Sequence, residues 1–487
     1  MKLLKGLLYG VPLLERAGST HLAISKICFD SREVRKDSLF VAVRGTQVDG
    51  HQYIEQAINQ GAAAIVCKEI PENQKESVSY IGVKDSSLAL ALIAANFYDN
   101  PSEKLQLIGI TGTNGKTTTA TLLYDLFTLL GSRSGLLSTV KVCVAKEIHP
   151  ATHTTPDPVQ INYYLHKMVE AGCRYCFMEA SSHGIVQNRT AGLKFAGAVF
   201  TNITHEHLDY HGNFENYIKA KKKLFDELPK SAFMLTNADD RHGNTMALNT
   251  KAQVFRYGLK NDADYKGRML EHQLNGMLLR LGQQEVWTKL IGDFNAYNLL
   301  AIYSVALCLE KDALQVATAI SSLKAVAGRF QYLQKQDLTA IVDYAHTPDA
   351  LQNVLDTIES IRSKNEKVIT VVGCGGNRDA AKRPEMARIA AEMSDQVILT
   401  SDNPRFEDPD AIIDEMEKGI EMHLSHKVLK ITDRKQAIRT AIQLGQSKDL
   451  ILIAGKGHET YQEIKGERSP FDDLAIARET LDQKYPD

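Results

Sequence analysis

A glycine- and threonine-rich segment with one lysine, ITGTNGKTTT, is the first place in the sequence that indicates chemistry. Gly112 and Gly115 would let backbone amides approach phosphate oxygens, and Lys116 supplies a cation. Thr117 offers a hydroxyl to Mg²⁺. The strict pattern, GxxxxGK followed by Ser or Thr, is not met, because Ile110 stands where its first glycine belongs. A β-rich run before the segment and a helical run after it still favour a nucleotide triphosphate site over an incidental glycine turn.

Two further segments combine carboxylates with imidazoles at the ends of apolar runs. MEASSHG places Glu179 and His183 at a predicted strand end. TNITHEHLDYHG holds five more such side chains: His205, Glu206, His207, Asp209 and His211. Oxygen and imidazole ligands at these places could hold divalent metals beside a triphosphate. Taken singly, each histidine is more often a hydrogen-bonding loop residue than a metal ligand.

Composition and charge exclude several classes of protein. The 487 residues are 44% hydrophobic and 24% charged, which is typical of a globular protein. The net charge is -2 and the basic residues are spread along the chain, so no general nucleic-acid surface is indicated. No segment approaches the roughly 20 apolar residues of a membrane helix. The short apolar stretch at the start is expected to belong to the fold rather than to a signal peptide.

The cysteines indicate a reducing compartment. Seven of them, an odd and scattered set, do not form a disulfide framework, which favours the cytoplasm. Cys173 and Cys176 form a CxxC, but no second pair accompanies it. Two buried thiols are therefore the better interpretation than a zinc or redox site.

The elements that must position these residues suggest about three domains and an α/β fold. Residues 1–100 form a small N-terminal α/β domain, in which LFVAV and GAAAIVC are predicted strands and YIEQAINQ a helix. Asn100-Pro101 marks its end. Residues 101–331 open with the strand, glycine loop and helix of a central P-loop mononucleotide-binding domain. Residues 332–487 form the C-terminal domain.

Four strands of the C-terminal domain each end in a polar or glycine-rich loop: TAIVDYAHTPD, KVITVVGCGGNRD, QVILTSDNPR and DLILIAGKGHE. Helical patterns separate them, and Thr347 with Pro348 can begin the first helix. The alternation predicts a Rossmann-like, doubly wound parallel sheet. Ligands of such a sheet bind beyond the carboxyl ends of its strands, where these loops lie.

Seven segments, in order, carry a resemblance to a known family: TGTNGKTTT, MEASSHG, TNITHEHLDYHG, GDFNAYN, AGRF, DYAHTPD and GKGHE. With DSR near residue 30, they resemble the Mur ligases over nearly the whole chain. The resemblance implies an ATP-dependent ligase of cytoplasmic cell-wall precursor synthesis. In that family ATP phosphorylates the free carboxylate of a UDP-muramoyl peptide, and an amine attacks the acyl phosphate to give an amide, ADP and phosphate.

The resemblance also implies roles for residues of the nucleotide site. The expected ATP ligands are Gly112, Thr113, Asn114, Gly115, Lys116, Thr117, Thr118, Asn295, Arg329 and Asp343. The expected catalytic residues are Lys116, Glu179, His207 and Lys221, and all of these except Lys116 would, with Thr117, contact Mg²⁺. Lys221 would do so as a carbamate, N6-carboxylysine. The alternative is that Lys221, with Lys219, Lys222 and Lys223, belongs to a solvated helix face.

For the UDP-sugar peptide, the resemblance points to an N-terminal UDP-binding domain and to six residues: Ser31, Thr154, Thr155, Ser181, Gln187 and Arg189. His153 replaces the asparagine expected before the paired threonines, so the contact at that point departs from the family pattern.

The incoming amino acid is expected to bind the C-terminal domain, where DNPR resembles the signature of enzymes that add meso-2,6-diaminopimelate. Arg405 and Arg378 could clamp the second carboxylate of that substrate, whereas L-lysine would leave both cations unpaired. The rest of the expected site is Asp402, Asn403, Pro404, Gly455 and Glu459. The alternative is that Arg405 braces its own loop.

The function implied is addition of meso-diaminopimelate to the D-glutamate carboxylate of a UDP-muramoyl dipeptide. The alternatives are the same ligation with L-lysine, a folylpolyglutamate synthetase-like ligase and a nucleotide-binding protein without turnover. The expected partners are the small-molecule substrates, with neither nucleic acid nor membrane insertion. The residues leave the oligomeric state open, and a monomer is the working expectation.

Overall fold

The computed structural model describes residues 1–45, 48–206, 208–362 and 365–486, apart from the side chains of residues 208 and 209. The chain divides into two compact units, Met1–Arg256 and Tyr257–Asp487. Both units are mixed α/β, so the predicted fold class is confirmed. No helix in the described ranges is long and apolar enough to cross a membrane.

The first unit begins with a small sheet and its helices. The elements are β1 (Lys2–Leu3), α1 (Leu4–Leu7), β2 (Leu13–Ala17), β3 (Ala23–Ile24), β4 (Lys26–Cys28), β5 (Ser38–Val41), α2 (Ile54–Asn59), β6 (Ala62–Cys67), β7 (Ser79–Val83) and α3 (Ser86–Phe97). The strand order is β2-β7-β6-β5-β4. LFVAV overlaps β5, and YIEQAINQ and GAAAIVC contain α2 and β6, so these three predictions are confirmed. Leu4 and Leu7 of the opening stretch are buried in the core of this sheet.

A larger sheet follows in the first unit. Its elements are β8 (Gln106–Thr111), α4 (Lys116–Leu129), β9 (Ser134–Leu137), β10 (Lys141–Val144), β11 (Glu147–Pro150), α5 (Pro158–Glu170), β12 (Tyr175–Glu179), α6 (Ser182–Val186), β13 (Gly197–Phe200), α7 (Leu208–His211), α8 (Phe214–Asp226), β14 (Phe233–Asn237), α9 (Gly243–Ala247) and β15 (Gln253–Gly258). The strand order is β11-β10-β9-β12-β8-β13-β14-β15, and the last two residues of β15, Tyr257 and Gly258, belong to the second unit, where they pair with Tyr265 and Lys266. The glycine loop therefore joins the central strand β8 to α4, as the sequence predicted, and Gly131 follows the end of that helix with φ of 76°.

The second unit opens with an antiparallel meander and two helices. These are β16 (Tyr265–Gln273), β17 (Gly276–Leu281), β18 (Gln284–Thr288), α10 (Asp293–Cys308) and α11 (Ala313–Ser321). Ile291 and Phe330, which flank the two helices, are buried in the same core as the sheet that follows.

That sheet is the predicted doubly wound one. Its elements and the chain's last hairpin and helix are β19 (Gln331–Lys335), β20 (Leu338–Asp343), α12 (Pro348–Ile361), β21 (Val368–Val372), α13 (Lys382–Met393), β22 (Gln396–Leu399), α14 (Pro409–Glu417), β23 (Val428–Lys430), α15 (Arg434–Leu444), β24 (Leu450–Ala454), β25 (Tyr461–Ile464), β26 (Glu467–Pro470) and α16 (Asp473–Lys484). The order is β19-β20-β24-β21-β22-β23, parallel except for the edge strand β19.

Helices cover both faces of this sheet. Residues of β20, β21 and β24 alternate between one core shared with α12, α13 and α14 and another shared with α15 and α16. The Thr347 hydroxyl accepts a hydrogen bond from the amide of Ala350, and Pro348 opens α12, as predicted. The loops after β20, β21, β22 and β24 are those that the sequence marked for ligand binding.

Candidate active site

The register of three parallel strands in the first unit places the predicted nucleotide and metal residues side by side. Glu179, the last residue of β12, pairs with Ile110 of β8. On the other side, Thr111 of β8 pairs with Phe200 of β13. The three strands therefore end at one level, and the segments that follow them meet at the carboxyl edge of the sheet.

The segment after β13 holds the glycine loop by hydrogen bonds. The amide of Thr113 donates to the carbonyl of Asn202 at 2.8 Å, and the amide of Asn114 donates to the Asn202 side-chain oxygen at 2.9 Å. Gly112 has φ of 154°, and a Cβ there would lie 1.9 Å from Oγ1 of Thr201. The loop can pass so close only because this position has no side chain.

The loop ends in the residues expected to hold phosphate. Gly115 has φ of 84° and precedes Lys116, the first residue of α4. The Lys116 ammonium donates to the carbonyls of Gly112 and Thr113 at 3.0 and 2.7 Å, so it lies over the loop. A cation, a helix N-terminus and turned backbone amides together suit a polyphosphate anion.

A fully buried carboxylate lies beside this loop. Glu179 accepts the Thr117 hydroxyl at 2.9 Å. It also accepts the amide of Thr139 at 2.6 Å and the Thr139 hydroxyl at 3.2 Å. These hydrogen bonds orient both oxygens of the carboxylate. The Thr117 hydroxyl and the carboxylate provide the oxygen ligands that Mg²⁺ prefers.

Four of the six residues predicted for the UDP-sugar peptide belong to one hydrogen-bond network. The Thr155 hydroxyl donates to the Glu179 carbonyl at 2.9 Å and lies 3.0 Å from that of Ser181. Arg189 donates to the carbonyl of Thr155 at 2.6 Å and to the side-chain oxygen of Gln187 at 2.7 Å.

Thr154 connects the same network to the carboxylate. Its hydroxyl is 3.1 Å from that of Thr139, which also contacts Glu179. His153, the departure from the family pattern, is exposed beside it. The sixth residue, Ser31, lies apart in the N-terminal sheet region, where its hydroxyl donates to Gln56 at 3.1 Å.

Lys221 is buried and points away from its lysine neighbours. It is 1% exposed, whereas Lys219, Lys222 and Lys223 form ion pairs with acidic residues of the same helix. Its ammonium donates to the carbonyl of Gly112 at 2.6 Å. The interpretation of Lys221 as part of a solvated helix face is therefore wrong, because only the other three lysines lie at the surface.

The environment of Lys221 favours the neutral amine. Its ammonium shares the Gly112 carbonyl with Lys116 and lies 4.5 Å from the centre of the Tyr217 ring. Burial, and then repulsion from Lys116, lowers the pKa of Lys221 well below its ordinary value, while Glu206 opposes the shift. A neutral amine is the form that can react with carbon dioxide.

The histidines after β12 and β13 take part in ring contacts and hydrogen bonds. His211 lies 3.0 Å from the Ser182 hydroxyl, and His183 packs on Tyr210 with ring centres 4.0 Å apart. His205 stacks on Phe214, and His207, a predicted metal ligand, lies outside the described residues. In the part of the chain that the structure describes, no three His, Cys, Asp or Glu side chains are arranged to hold a metal ion.

The predicted nucleotide residues of the second unit occupy a strand end and a helix start. Asn295 is buried in the first turn of α10 and donates to the carbonyl of Ile291 at 2.8 Å. The Arg329 guanidinium lies 4.8 Å from the centre of the Tyr344 ring. Asp343, the last residue of β20, accepts the amide of Phe330 at 2.6 Å.

The Asp343 carboxyl is shifted toward its neutral form. Burial raises its pKa to about 6, while Arg329 and the amides of Phe330 and Ala345 act in the opposite direction. Burial outweighs the nearby cation here, so the carboxyl changes charge close to neutral pH.

The DNPR loop and the GKGHE loop meet at the carboxyl edge of the C-terminal sheet. The Asn403 amide nitrogen donates to Glu459 at 2.7 Å, while its oxygen accepts the Lys456 ammonium and the amide of Glu463, both at 3.0 Å. Gly455 has φ of 119°, and a Cβ there would lie 2.8 Å from the Asp402 carboxylate. The structure thus brings together four predicted amino-acid ligands: Asp402, Asn403, Gly455 and Glu459.

Arg405 and Arg378 lie on adjoining loops after β22 and β21. Arg405 has φ of 54°, and one of its terminal nitrogens donates to the carbonyl of Gly376 at 2.8 Å. A Cβ on Gly375 would lie 2.9 Å from that same nitrogen and 3.8 Å from Cγ of Arg378. Pro404 packs against Gly376, where a Cβ would lie 1.9 Å from the Pro404 carbonyl oxygen.

Three residues of these networks were not predicted from the sequence. Thr139 follows an apolar run and belongs to no motif, and Asn202 stands in TNITHEHLDYHG but was not assigned a role, so the hydrogen bonds of the aligned strand ends identify both. Lys456 stands inside the GKGHE segment and is fully buried, with its ammonium 3.2 Å from Glu459. A lysine between two glycines at a predicted strand end was a signal that could have identified it.

Comparisons with known proteins cover almost the whole chain. The description "Mur ligase family, catalytic domain" matches residues 23–98, "Mur ligase middle domain" matches residues 110–306, and "Mur ligase, glutamate ligase domain" matches residues 328–457. The matches follow the order of the three sheets.

Two relatives and two solved structures extend this result. A protein of Cytophaga hutchinsonii named UDP-N-acetylmuramoyl-L-alanyl-D-glutamate--2,6-diaminopimelate ligase is 54% identical, with 98% of this chain and 99% of the relative covered. A protein of that name from Bacillus licheniformis is 40% identical, with 99% of both covered. A solved structure of a ligase of that name has a TM-score of 0.68 at 32% identity, with 95% of both chains covered. The MurF ligase from Thermotoga maritima, solved with ADP, shares the fold with a TM-score of 0.62 at 20% identity, and the match covers 94% of this chain and 98% of that one. The chain therefore belongs to the Mur ligase family of ATP-dependent ligases and has the three-domain α/β architecture of that family.

Proposed function

We propose that the chain joins meso-2,6-diaminopimelate to the D-glutamate carboxylate of UDP-N-acetylmuramoyl-L-alanyl-D-glutamate, in peptidoglycan precursor synthesis. The observation that carries this proposal is the 54% identity, over 98% of the chain, to a relative named for that ligation. The two arginines on adjoining loops support the choice of amino acid.

The reaction needs a leaving group, because a free carboxylate does not acylate an amine. Transfer of the γ-phosphoryl group of ATP to the D-glutamate carboxylate gives an acyl phosphate and ADP. The amine of diaminopimelate then adds to the acyl carbon. The C–O bond to phosphate breaks, phosphate leaves with its electron pair, and the amine loses a proton. Holding the two anionic reactants together is the main physical task of the site.

The glycine loop performs the first part of that task. Backbone amides at the start of α4 bind the phosphates, and Lys116 moves its hydrogen bonds from the loop carbonyls to phosphate oxygens. Thr117 and Glu179 would hold Mg²⁺, which supplies charge neutralisation for the transferred phosphoryl group. Thr113, Asn114 and Thr118 complete the proposed contacts in this unit, and Asn295, Arg329 and Asp343 are the proposed nucleotide ligands of the second.

Lys221 is proposed to act as a carbamate. The neutral amine adds to carbon dioxide, a C–N bond forms and one proton is released, which converts an uncharged amine into a carbamate with one negative charge. That charge would lie near the Lys116 ammonium, where a Lys221 ammonium is repelled. The product would add an oxygen ligand for Mg²⁺ near Thr117 and Glu179, with His207 as a further proposed ligand.

The UDP-sugar peptide is proposed to bind the network of Thr154, Thr155, Ser181, Gln187 and Arg189, with Ser31 contacting it from the N-terminal domain. Arg189 supplies the cation of this network, and the hydroxyls provide donors and acceptors. Because the same network is hydrogen-bonded to Glu179 and to Thr139, the peptide would bind next to the proposed metal site.

The amino-acid site is proposed to bind both ends of diaminopimelate. Arg405 and Arg378 pair with the distal carboxylate. Asp402 and Glu459 suit an ammonium group, and Asn403 keeps one amide N–H beyond its bond to Glu459. Lysine lacks the carboxylate that the arginines would pair with.

Three coarser properties complete the proposal. The gap between the first two family matches, residues 99–109, supports the proposed boundary at 100/101, and the third match begins at residue 328, close to the proposed boundary at 331/332. All seven cysteines are unpaired thiols, which suits a cytoplasmic enzyme. We take the working unit to be a monomer that binds only small-molecule substrates.

Phosphate release tests the function. The purified chain would receive ATP, Mg²⁺ and UDP-N-acetylmuramoyl-L-alanyl-D-glutamate, with either meso-diaminopimelate or L-lysine. We expect release to require every component and to favour diaminopimelate at least about 100-fold, since a lost charge-assisted pair costs roughly 1.5–3 kcal/mol per hydrogen bond. Preference for lysine would contradict the choice of amino acid, and no release with either amine would contradict the ligase.

A further inference from the structure

Arg383 is a buried arginine next to the two loops that carry Arg378 and Arg405. It lies in the first turn of α13 and is 2% exposed. One terminal nitrogen donates to Glu415 in α14 at 2.8 Å, and the other donates to Glu407 at 2.8 Å. Glu407 stands two residues after Arg405, so the buried guanidinium is directly bonded to the DNPR loop.

Glu407 connects that loop to the one after β21. Its second oxygen accepts the backbone amide of Asn377, and the Asn377 side chain accepts the amide of Phe406 at 3.1 Å. The amide of Gly376 donates to the carbonyl of Asn403 at 2.9 Å. With the bond from Arg405 to the Gly376 carbonyl, the two loops are bonded at four places, and the ion pair from Arg383 holds Glu407, which makes one of these bonds.

The bonded segments have backbone conformations that need support. Asn377 has φ of 52° and Arg405 has φ of 54°, both in the left-handed region. Such conformations are unfavourable for residues other than glycine and persist only where neighbours hold them. Asn377 precedes Arg378, and Arg405 is itself a predicted substrate ligand. A change of backbone conformation at either position would therefore move one of the two arginines.

We propose that Arg383 is a positioning residue for amino-acid selection: through Glu407 it sets the spacing of Arg378 and Arg405, and so the fit of a distal carboxylate. The inference rests on the proposed function. Arginine suits this role and lysine does not, because a planar guanidinium reaches two carboxylates with separate nitrogens. Bidentate recognition of a carboxylate tolerates displacements of only about 0.5 Å, so a small loop shift is enough to weaken it.

The test compares three variants in the ligation assay: Arg383→Met, Arg383→Lys and Glu407→Gln. We expect each to raise KM for meso-diaminopimelate at least about 10-fold and to reduce the preference over L-lysine by a similar factor. KM for ATP and for the UDP-dipeptide should stay within about twofold. Glu407→Gln keeps the size of the side chain, so it tests the pair even where Arg383→Met fails to fold.

Arg362→Met is the matched control. Arg362 also bonds two carboxylates, Glu359 at 2.5 Å and Asp395 at 3.0 Å, but it follows α12, and these partners and its third, the Glu366 carbonyl, lie outside both loops. We expect unchanged KM values. Variants of Arg383 and Glu407 that keep the wild-type KM and preference, or that lower kcat alone, would overturn the inference. A wild-type enzyme that ignores diaminopimelate would overturn the proposed function and the inference with it.

Discussion

Lys221 shows how burial selects one residue from a run of similar ones. Four lysines stand within five residues of α8, and helical spacing puts Lys219, Lys222 and Lys223 on one face, because they are three and four residues apart, and Lys221 on another. The fold directs only Lys221 under the glycine loop, where its ammonium is desolvated and repelled by Lys116. The residue that family resemblance selected is therefore also the one with the chemistry to form a carbamate.

Lys221→Ala tests that role. We expect kcat to fall at least about 100-fold, the size of effect that follows removal of one group that stabilises transition-state charge. A short carboxylate such as acetate in the assay should restore part of the activity. Lys219→Ala, an exposed neighbour paired with Glu215, is the control and should stay within about twofold of wild type. Full activity of Lys221→Ala without added carboxylate would refute the assignment.

Arg405→Met tests whether the arginine recognises substrate or only braces its loop. We expect KM for meso-diaminopimelate to rise roughly 10- to 100-fold, because each charge-assisted hydrogen bond is worth about 1.5–3 kcal/mol. KM for L-lysine should not rise. Arg388→Met, an exposed arginine of α13 paired with Glu392, is the control. An equal rise of KM for both amines would instead support the bracing role.

Asp343 gives a prediction about pH and stability. Its pKa is about 6 in the folded chain, above the 3.8 of an exposed carboxyl, so the folded state keeps a proton that the unfolded state has lost. Its contribution to stability is therefore present below about pH 4 and is lost as the pH rises through 6, by up to about 3 kcal/mol. Asp343→Asn removes this titration.

Thermal unfolding of the full chain at pH 4, 5, 6 and 7 checks this prediction. We expect the Tm of Asp343→Asn, relative to wild type, to increase with pH over this range. A difference in Tm that does not change with pH would contradict the burial of an ionisable carboxyl at this position.

At the scale of elements, helices, strands and loops could be predicted from the sequence where a local pattern determines them. The strand, glycine loop and helix around Lys116 follow from local pattern alone, and so does the capped helix that begins at Pro348. Strand register does not, because it depends on pairing between distant segments. Thr139 and Asn202 became identifiable only once β9, β12, β8 and β13 were aligned.

Gly112→Ala tests the glycine loop as an element. The added Cβ would lie 1.9 Å from Thr201 and φ of 154° disfavours it, so the loop must shift. We expect ATP affinity to fall at least about 10-fold in a binding titration. Gly131→Ala, at the far end of the same helix and with open space around it, should lower stability but leave ATP affinity unchanged. Normal affinity in Gly112→Ala would contradict this account of the loop.

At the scale of the molecule, most of the predicted ligand residues lie in segments that follow a strand of one of the two larger sheets. Composition and alternation predicted three α/β domains, and the family matches follow the same order. The antiparallel edge strand β19 was not anticipated, since a short strand of mixed polarity, QYLQK, has no distinctive pattern. The amino-acid substrate was predicted because DNPR resembles the signature of diaminopimelate-adding enzymes, and the arginine at a strand end agrees with that resemblance.

The most direct measurement of the central claim follows the oxygen atoms of the D-glutamate carboxylate. The UDP-dipeptide labelled with ¹⁸O in that carboxylate would be incubated with ATP, Mg²⁺ and meso-diaminopimelate, and the peptide product and the phosphate analysed by mass spectrometry. With both carboxylate oxygens labelled, activation as an acyl phosphate predicts one ¹⁸O in each phosphate. The product should be heavier than the labelled substrate by the mass of diaminopimelate minus that of one H2¹⁸O. Product with unlabelled phosphate, or labelled phosphate without the diaminopimelate adduct, would contradict the mechanism or the substrate respectively.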